Sequence, residues 1–181
     1  MEKEGKFCWD IREREIKMKN INLNDIKLFI NYYNSSSGTE YFISYASHNE
    51  KILYGFIRLR LNNQWNDVLP CLKNNALVRE LHVYGIHTNI GTKNKGNSQH
   101  TGLGSKLLKI AEDIAFKKGF SNIAVISGVG VRNYYRKKGY ILGKNDYMYK
   151  NLKYKLFHDY IFIFFAILNL IILFITIHII F

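Results

Sequence analysis

Gln99-His100-Thr101-Gly102-Leu103-Gly104 is the stretch on which the reading of this 181-residue chain turns. Its two glycines let the backbone come close to a ligand, and the helical pattern that begins there leaves its first N–H groups without intrahelical partners. Together with the helix dipole those amides make an anion site, most simply a phosphate site. A glycine turn before a helix is often only a turn, so the neighbouring elements decide between the two readings.

Downstream, Leu103, Leu107, Ile110, Ala111, Ile114 and Ala115 recur at helical spacing and predict an amphipathic helix from Gly102 to Lys118. Lys106, Lys109, Glu112, Asp113 and Lys117 fall on its polar face, and Gly119 supplies the stop. Asn122 to Ser127 is a continuous apolar run that suits a strand buried on both faces. A turn at Gly128 to Gly130, a short helix from Val131 to Lys138 closed by Gly139, and a strand from Tyr140 to Tyr149 complete this half. Upstream, Leu77 to Tyr84 reads as a strand ending at Gly85, and Ile86 to Ser98 as a polar insertion before the glycine loop.

Nearer the N-terminus, Phe7 to Lys19 alternates in charge and reads as a strand or an ordered lead-in. Asn24 and Asp25 offer N-cap chemistry to a short helix carrying Ile26, Phe29, Ile30 and Tyr33. Asn34 to Thr39 is a turn cluster, and Tyr41 to Ser47 pairs with Ile52 to Leu61 through His48-Asn49-Glu50-Lys51. Asn62 to Asn75 is a loop holding the one proline, Pro70. The predicted order is β-α-β-β-loop-β-α-β-α-β, an α/β (α+β) mixed sheet with helices on its faces.

Composition adds two bounds. The net charge of +12 and pI near 9.6 favour an anionic partner such as nucleic acid, a membrane surface or a polyanionic cofactor, although Lys- and Asn-rich drift produces the same number. Cys8 and Cys71 are the only cysteines, which excludes a CxxC metal site or an iron–sulfur cluster built within the chain.

The last 22 residues, Tyr160 to Phe181, carry no Lys, Arg, Asp or Glu. As a helix they would reach roughly 33 Å, enough to cross a hydrocarbon core of about 30 Å. Two domains are therefore expected: a globular one over 1–154, and a C-terminal transmembrane tail anchor over 155–181. Lys150, Lys153 and Lys155 on the domain side fit a cytosolic orientation, and the mitochondrial outer membrane suits the short basic-flanked span slightly better than the endoplasmic reticulum.

Gln99-x-x-Gly102-x-Gly104, after a strand and opening a helix, resembles the acetyl-CoA pyrophosphate loop of the GNAT acetyltransferase superfamily. Asn133 to Tyr140, reading NYYRKKGY, resembles that superfamily's second signature. Val78 to Gly85, Gln99-His100, Ile123 to Gly130 and Arg132 to Gly139 narrow the likeness to the catalytic subunits of Elongator. That family joins a radical-SAM domain to a C-terminal GNAT domain and is implicated in modifying the wobble uridine of tRNA. The radical-SAM half and its cysteines are missing here and a membrane span is added. Met1 falls almost at the GNAT boundary, leaving open a stand-alone domain or a longer protein cut upstream.

The resemblance implies acetyl-CoA as cofactor, with the backbone of Thr101, Gly102, Leu103 and Gly104 on the pyrophosphate and Gln99 and His100 at the start of the loop. It implies that the strands Leu77 to Gly85 and Asn122 to Val129 splay, with Leu81, His82 and Val83 offering main-chain partners to the pantetheine arm. Tyr135, four residues before Gly139, stands where the superfamily places a general acid for the departing thiolate; Tyr134 is its neighbour and fallback, and Asn133 opens the motif. Glu80 and His82 share a strand face, as a base or as an ordinary ion pair and strand histidine. Arg132 to Lys155 holds eight Lys or Arg against Asp146, for phosphates, tRNA or an anionic bilayer, or as a solvated face. Expected partners are acetyl-CoA, tRNA, the membrane, and Elongator subunits or a separate radical-SAM protein. Rival functions are a non-catalytic acetyl-CoA and tRNA module, or a protein-lysine (histone) acetyltransferase.

Overall fold

A computed structural model describes residues 9–16, 25–62, 69–84, 102–152 and 167–169. After a short helix α1 (Ile11–Arg14), the chain forms β1 (Ile26–Ser35), β2 (Gly38–Ser47), β3 (Leu53–Leu61) and β4 (Asn75–Val83). Helix α2 (Leu103–Lys117) leads to β5 (Asn122–Val125), helix α3 (Arg132–Arg136), β6 (Ile141–Leu142) and β7 (Met148–Asn151). These strands make one seven-stranded sheet in the order β1-β2-β3-β4-β5-β7-β6. Every pairing is antiparallel except β4 with β5, the pair that α2 connects.

The expected mixed sheet flanked by helices is present, and α2 is the best-matched element. Leu107, Leu108, Ala111 and Ala115 are buried against Ile43, Ile57, Leu59, Val78, Ile123 and Val125, which alternate along four strands and so share one sheet face. The helix ends where Gly119 N–H donates to Phe116 O and Phe120 N–H reaches back to Ala115 O, the paired bonds of a Schellman stop. On the opposite face Leu72, Leu77 and Ala124 form a smaller cluster.

Four expectations about secondary structure and capping are corrected. Ile26 to Tyr33 is not a helix: β1 pairs along its whole length with β2, from Ile26 with Ser47 to Ser35 with Gly38. Ile26, Phe29, Ile30 and Tyr33 fit a helical period, but Leu28, Ile30 and Tyr32 fit a period of two, and pairing with β2 selects the strand. Asp25 is not an N-cap, because its Oδ1 accepts from the His48 N–H at 3.1 Å and lies 2.9 Å from the His48 ring. Residues 11–14 of the expected lead-in are helical, with Asp10 capping through the Arg12 N–H. The expected strand from Tyr140 to Tyr149 is two short strands separated by a turn in which Asn145 and Asp146 take positive φ, which no strand accommodates.

Glu112, placed by pattern on the polar face of α2, is instead buried at 4% exposure. Its carboxylate accepts from Lys150 Nζ at 2.9 and 3.0 Å and from the Tyr140 hydroxyl at 3.0 Å. A second buried carboxylate, Glu40, accepts from Arg60 and Arg79 at 2.8 and 2.9 Å. Stranding one member of such a pair costs about 3–5 kcal/mol, so these contacts fix which segments meet.

Among the described residues no helix is long and apolar enough to cross a membrane. The expected span from Tyr160 to Phe181 lies outside the described residues except for 167–169.

Candidate active site

β4 is the pivot of the site. Its parallel pairing with β5 runs from Asn75 with Asn122 to Val78 with Val125, and one more bond, Ile126 N–H to Val78 O at 3.2 Å, closes it. A register shift between Arg58 and Leu59, against Glu80 and Val78, leaves Arg79 as an extra residue in β4. Such a bulge bends and twists its strand. Beyond it β4 continues along β3 through Val83 while β5 has ended, so the two strands part. This is the expected splay.

Main-chain polarity follows from strand alternation. Tyr84 N–H donates to Tyr54 O on the β3 side at 2.9 Å, so the amides of Leu81 and Val83 face the open side. The side chain of His82 points to the other sheet face, where its ring stacks on Tyr84 at 4.8 Å and on Phe56 at 6.1 Å.

The start of α2 closes one end of the opening. Gly102 has φ +69, the left-handed conformation that a side chain resists, and its carbonyl accepts from Lys106 N–H at 3.0 Å. The amides of Leu103 and Gly104 belong to the first turn, where an α-helix leaves donors unpaired and concentrates positive dipole. The Leu103 side chain itself is buried in the core. A Cβ built on Gly104 would lie 3.3 Å from the Tyr134 hydroxyl and 3.3 Å from Val83 Cγ2. Three positions distant in sequence, Val83, Gly104 and Tyr134, therefore meet at one point. Gln99, His100 and Thr101 lie outside the described residues.

The Tyr134 hydroxyl is buried and has no hydrogen-bond partner among the described residues. Tyr135 lies behind it at 5% exposure, edge-on to Tyr134 at 5.2 Å and to Tyr140 at 5.7 Å. Burial, and then the neighbouring Tyr134, push the Tyr135 phenol up to about 12. Tyr140 is pushed higher still, by burial and then by the Glu112 carboxylate. Asn133 is exposed, and its Oδ1 accepts from Arg136 at 2.6 Å.

Glu80 lies 3.5 Å from Arg58 Nε and 3.9 Å from His82 Nδ1. Both side chains line a groove of about 370 Å³ with Phe56, Arg58, Tyr84 and four residues at α1, Asp10, Ile11, Arg12 and Glu15. The α1 contribution is missed in the sequence because a four-residue helix has no period to detect. Likewise nothing local announces Glu112 and Lys150, 38 positions apart.

Elongator complex protein 3 of Danio rerio is 41% identical over 154 residues, covering 82% of this chain and 28% of that protein. The human and Saccharomyces cerevisiae proteins of the same name are 39% and 36% identical with the same coverage. The solved structure of an archaeal Elp3 from Methanocaldococcus infernus, lacking its N-terminus, superposes with a TM-score of 0.67 at 39% identity. That match covers 83% of this chain and 37% of the archaeal one. The chain thus spans little more than a quarter of the curated relatives it matches, and no protein-family model matches it. In sequence and in fold, this chain is a relative of the C-terminal part of Elongator complex protein 3.

Proposed function

We propose that the chain binds acetyl-CoA in the opening between β4 and β5 and acts as an acetyltransferase of the Elongator catalytic-subunit type. The observation that carries this reading is the meeting of the parted strand edge, the start of α2 and the orphaned Tyr134 hydroxyl at one point. When bound, acetyl-CoA supplies a thioester whose acetyl carbon is open to attack. The amides of Leu103 and Gly104, with the helix dipole, hold the pyrophosphate. Gly104, lacking a side chain, keeps the approach clear. Leu81 and Val83 bond the pantetheine arm as an added strand would, and one of their amides polarises the acetyl carbonyl. Tyr134, beside Gly104, donates its unused hydroxyl at the phosphate end. Tyr135 donates a proton to the leaving sulfur, a role that suits a phenol still protonated at neutral pH.

The acceptor proposed is a tRNA wobble uridine, as the Elongator resemblance implies, delivered to the basic surface that includes the exposed Arg136 and Lys137. Glu80, already paired with Arg58, is not assigned as an amine-deprotonating base. The chain is further proposed to be anchored by 155–181, with the domain in the cytosol and the mitochondrial outer membrane as the favoured site.

Calorimetry with acetyl-CoA on the full chain in detergent tests the cofactor site. Gly104→Asp, which sets a carboxylate against the pyrophosphate, should weaken binding at least about 100-fold, near 3 kcal/mol. Unchanged affinity in a folded variant would remove the site. Deleting 160–181 should move the protein from the carbonate-resistant pellet to the soluble fraction with acetyl-CoA affinity intact; a deleted form that still pellets would exclude the anchor.

A further inference from the structure

We infer that Glu112, held by Lys150 and Tyr140, is a positioning residue that sets the tyrosine helix α3 in register with the cofactor helix α2. The inference rests on the proposed acetyl-CoA site, and it concerns residues that touch neither the cofactor nor the strand opening.

The contacts form a closed circuit. It leaves α2 at Gly104, where the Tyr134 hydroxyl abuts the backbone, and passes ring to ring through Tyr135 to Tyr140. It returns to α2 at Glu112, which accepts the Tyr140 hydroxyl at 3.0 Å. Gly104 and Glu112 stand eight residues apart on the helix, a rise of about 12 Å. Ring-to-ring steps of 5.2 and 5.7 Å carry the path between these two points, so the tyrosine ladder is pinned to the helix at both ends. Lys150 binds both oxygens of the same carboxylate, lies 5.4 Å over the Tyr140 ring, and faces Ile123 across the β5–β7 pair. One carboxylate thus ties the cofactor helix, Tyr140 four residues beyond the end of α3, and the strand beside β5.

An apolar trio of the same volume would hold the core as well, since exchanging a buried ion pair for packed apolar groups is commonly neutral or stabilising. What packing alone lacks is direction. The carboxylate accepts in preferred directions from two donors and so holds the Tyr140 hydroxyl, and with it the long axis of the ring against which Tyr135 lies edge-on.

The test separates position from stability. Glu112→Leu/Lys150→Met removes the pair and fills its space, and Tyr140→Phe removes one hydroxyl and leaves the ring. Each full-length variant is melted, assayed for acetyl-CoA turnover, and labelled with 3-fluorotyrosine at position 135 for ¹⁹F NMR without cofactor. The double variant, which leaves the Tyr140 hydroxyl without its acceptor, is expected to melt within about 12 °C of the parent. Its turnover number should fall at least about 10-fold while KM for acetyl-CoA stays within about 3-fold. In both variants the ¹⁹F line at 135 should shift or broaden. A parent-like ¹⁹F line together with parent turnover in either variant overturns the inference, as does a loss of turnover that tracks the loss of melting temperature. If the parent does not bind acetyl-CoA, the function proposed above fails and the ¹⁹F line alone decides whether Glu112 positions Tyr135. If the double variant does not fold, Tyr140→Phe decides.

Discussion

Replacing Tyr134 by Phe should raise stability and lower cofactor affinity at once. The Tyr134 hydroxyl is enclosed and has no partner among the described residues, so in the ligand-free protein its desolvation is uncompensated. That omission costs about 1–3 kcal/mol, which Phe recovers because the ring packing against Tyr135 is kept. For a chain of this size each kcal/mol moves the melting temperature by about 2–4 °C, giving a rise of about 2–12 °C. Bound acetyl-CoA would give the hydroxyl an anionic or carbonyl acceptor, worth about 1.5–3 kcal/mol, so the dissociation constant should rise about 10- to 100-fold. Tyr140→Phe is the matched control. Its hydroxyl is already committed to Glu112, so the same one-atom deletion there should lower the melting temperature. Thermal denaturation followed by circular dichroism, with calorimetric titration of acetyl-CoA, gives both quantities on the same samples. A lower melting temperature for Tyr134→Phe, or an unchanged dissociation constant, refutes the assignment.

Two further outcomes concern stability. Gly102→Ala forces a side chain into a backbone at φ +69 and should cost about 1–2 kcal/mol, read as a lower midpoint in urea with unchanged slope. The Asp25 carboxyl is held below its usual range by the His48 backbone N–H and then by the His48 ring. A depressed folded-state pKa contributes stability that is fully present above the unfolded value of 3.8 and is lost as pH falls through the lower folded value. Asp25→Asn should therefore flatten the fall of stability with acid below about pH 4; a slope identical to that of the parent would show that the contact with His48 does not persist in solution.

The legible parts of the fold were those whose evidence is local. The α2 stripe, its Gly119 stop and the β2–β3 hairpin could each be read within one window, and each stands as expected. Ile26 to Tyr33 defeated the same method because its apolar residues satisfy both periods, and the partner that decides, β2, binds along its full length only in three dimensions. Glu112 was assigned to solvent for a similar reason, its counter-charge lying on the last strand. At the site, the glycine spacing and the tyrosine pair pointed to segments that the fold brings together. Their meeting with Val83 follows from a bulge at Arg79 that leaves no mark in composition.

The parallel pairing of β4 with β5 has a kinetic consequence. β1 to β4 form a meander of successive antiparallel neighbours, and β5, β7 and β6 form a second antiparallel group, joined to the first through four registered residue pairs and α2. Each group can assemble from short-range contacts, whereas residues 75–78 must find 122–125 across a long intervening chain, the step with the largest loop-closure cost. The seam between the halves is therefore expected to be the last part of the sheet to form and the first to open. Amides around Ile126, which bridge that seam, should exchange with deuterium sooner than those of β3. A cleft built on that seam therefore borders the part of the sheet expected to open most readily.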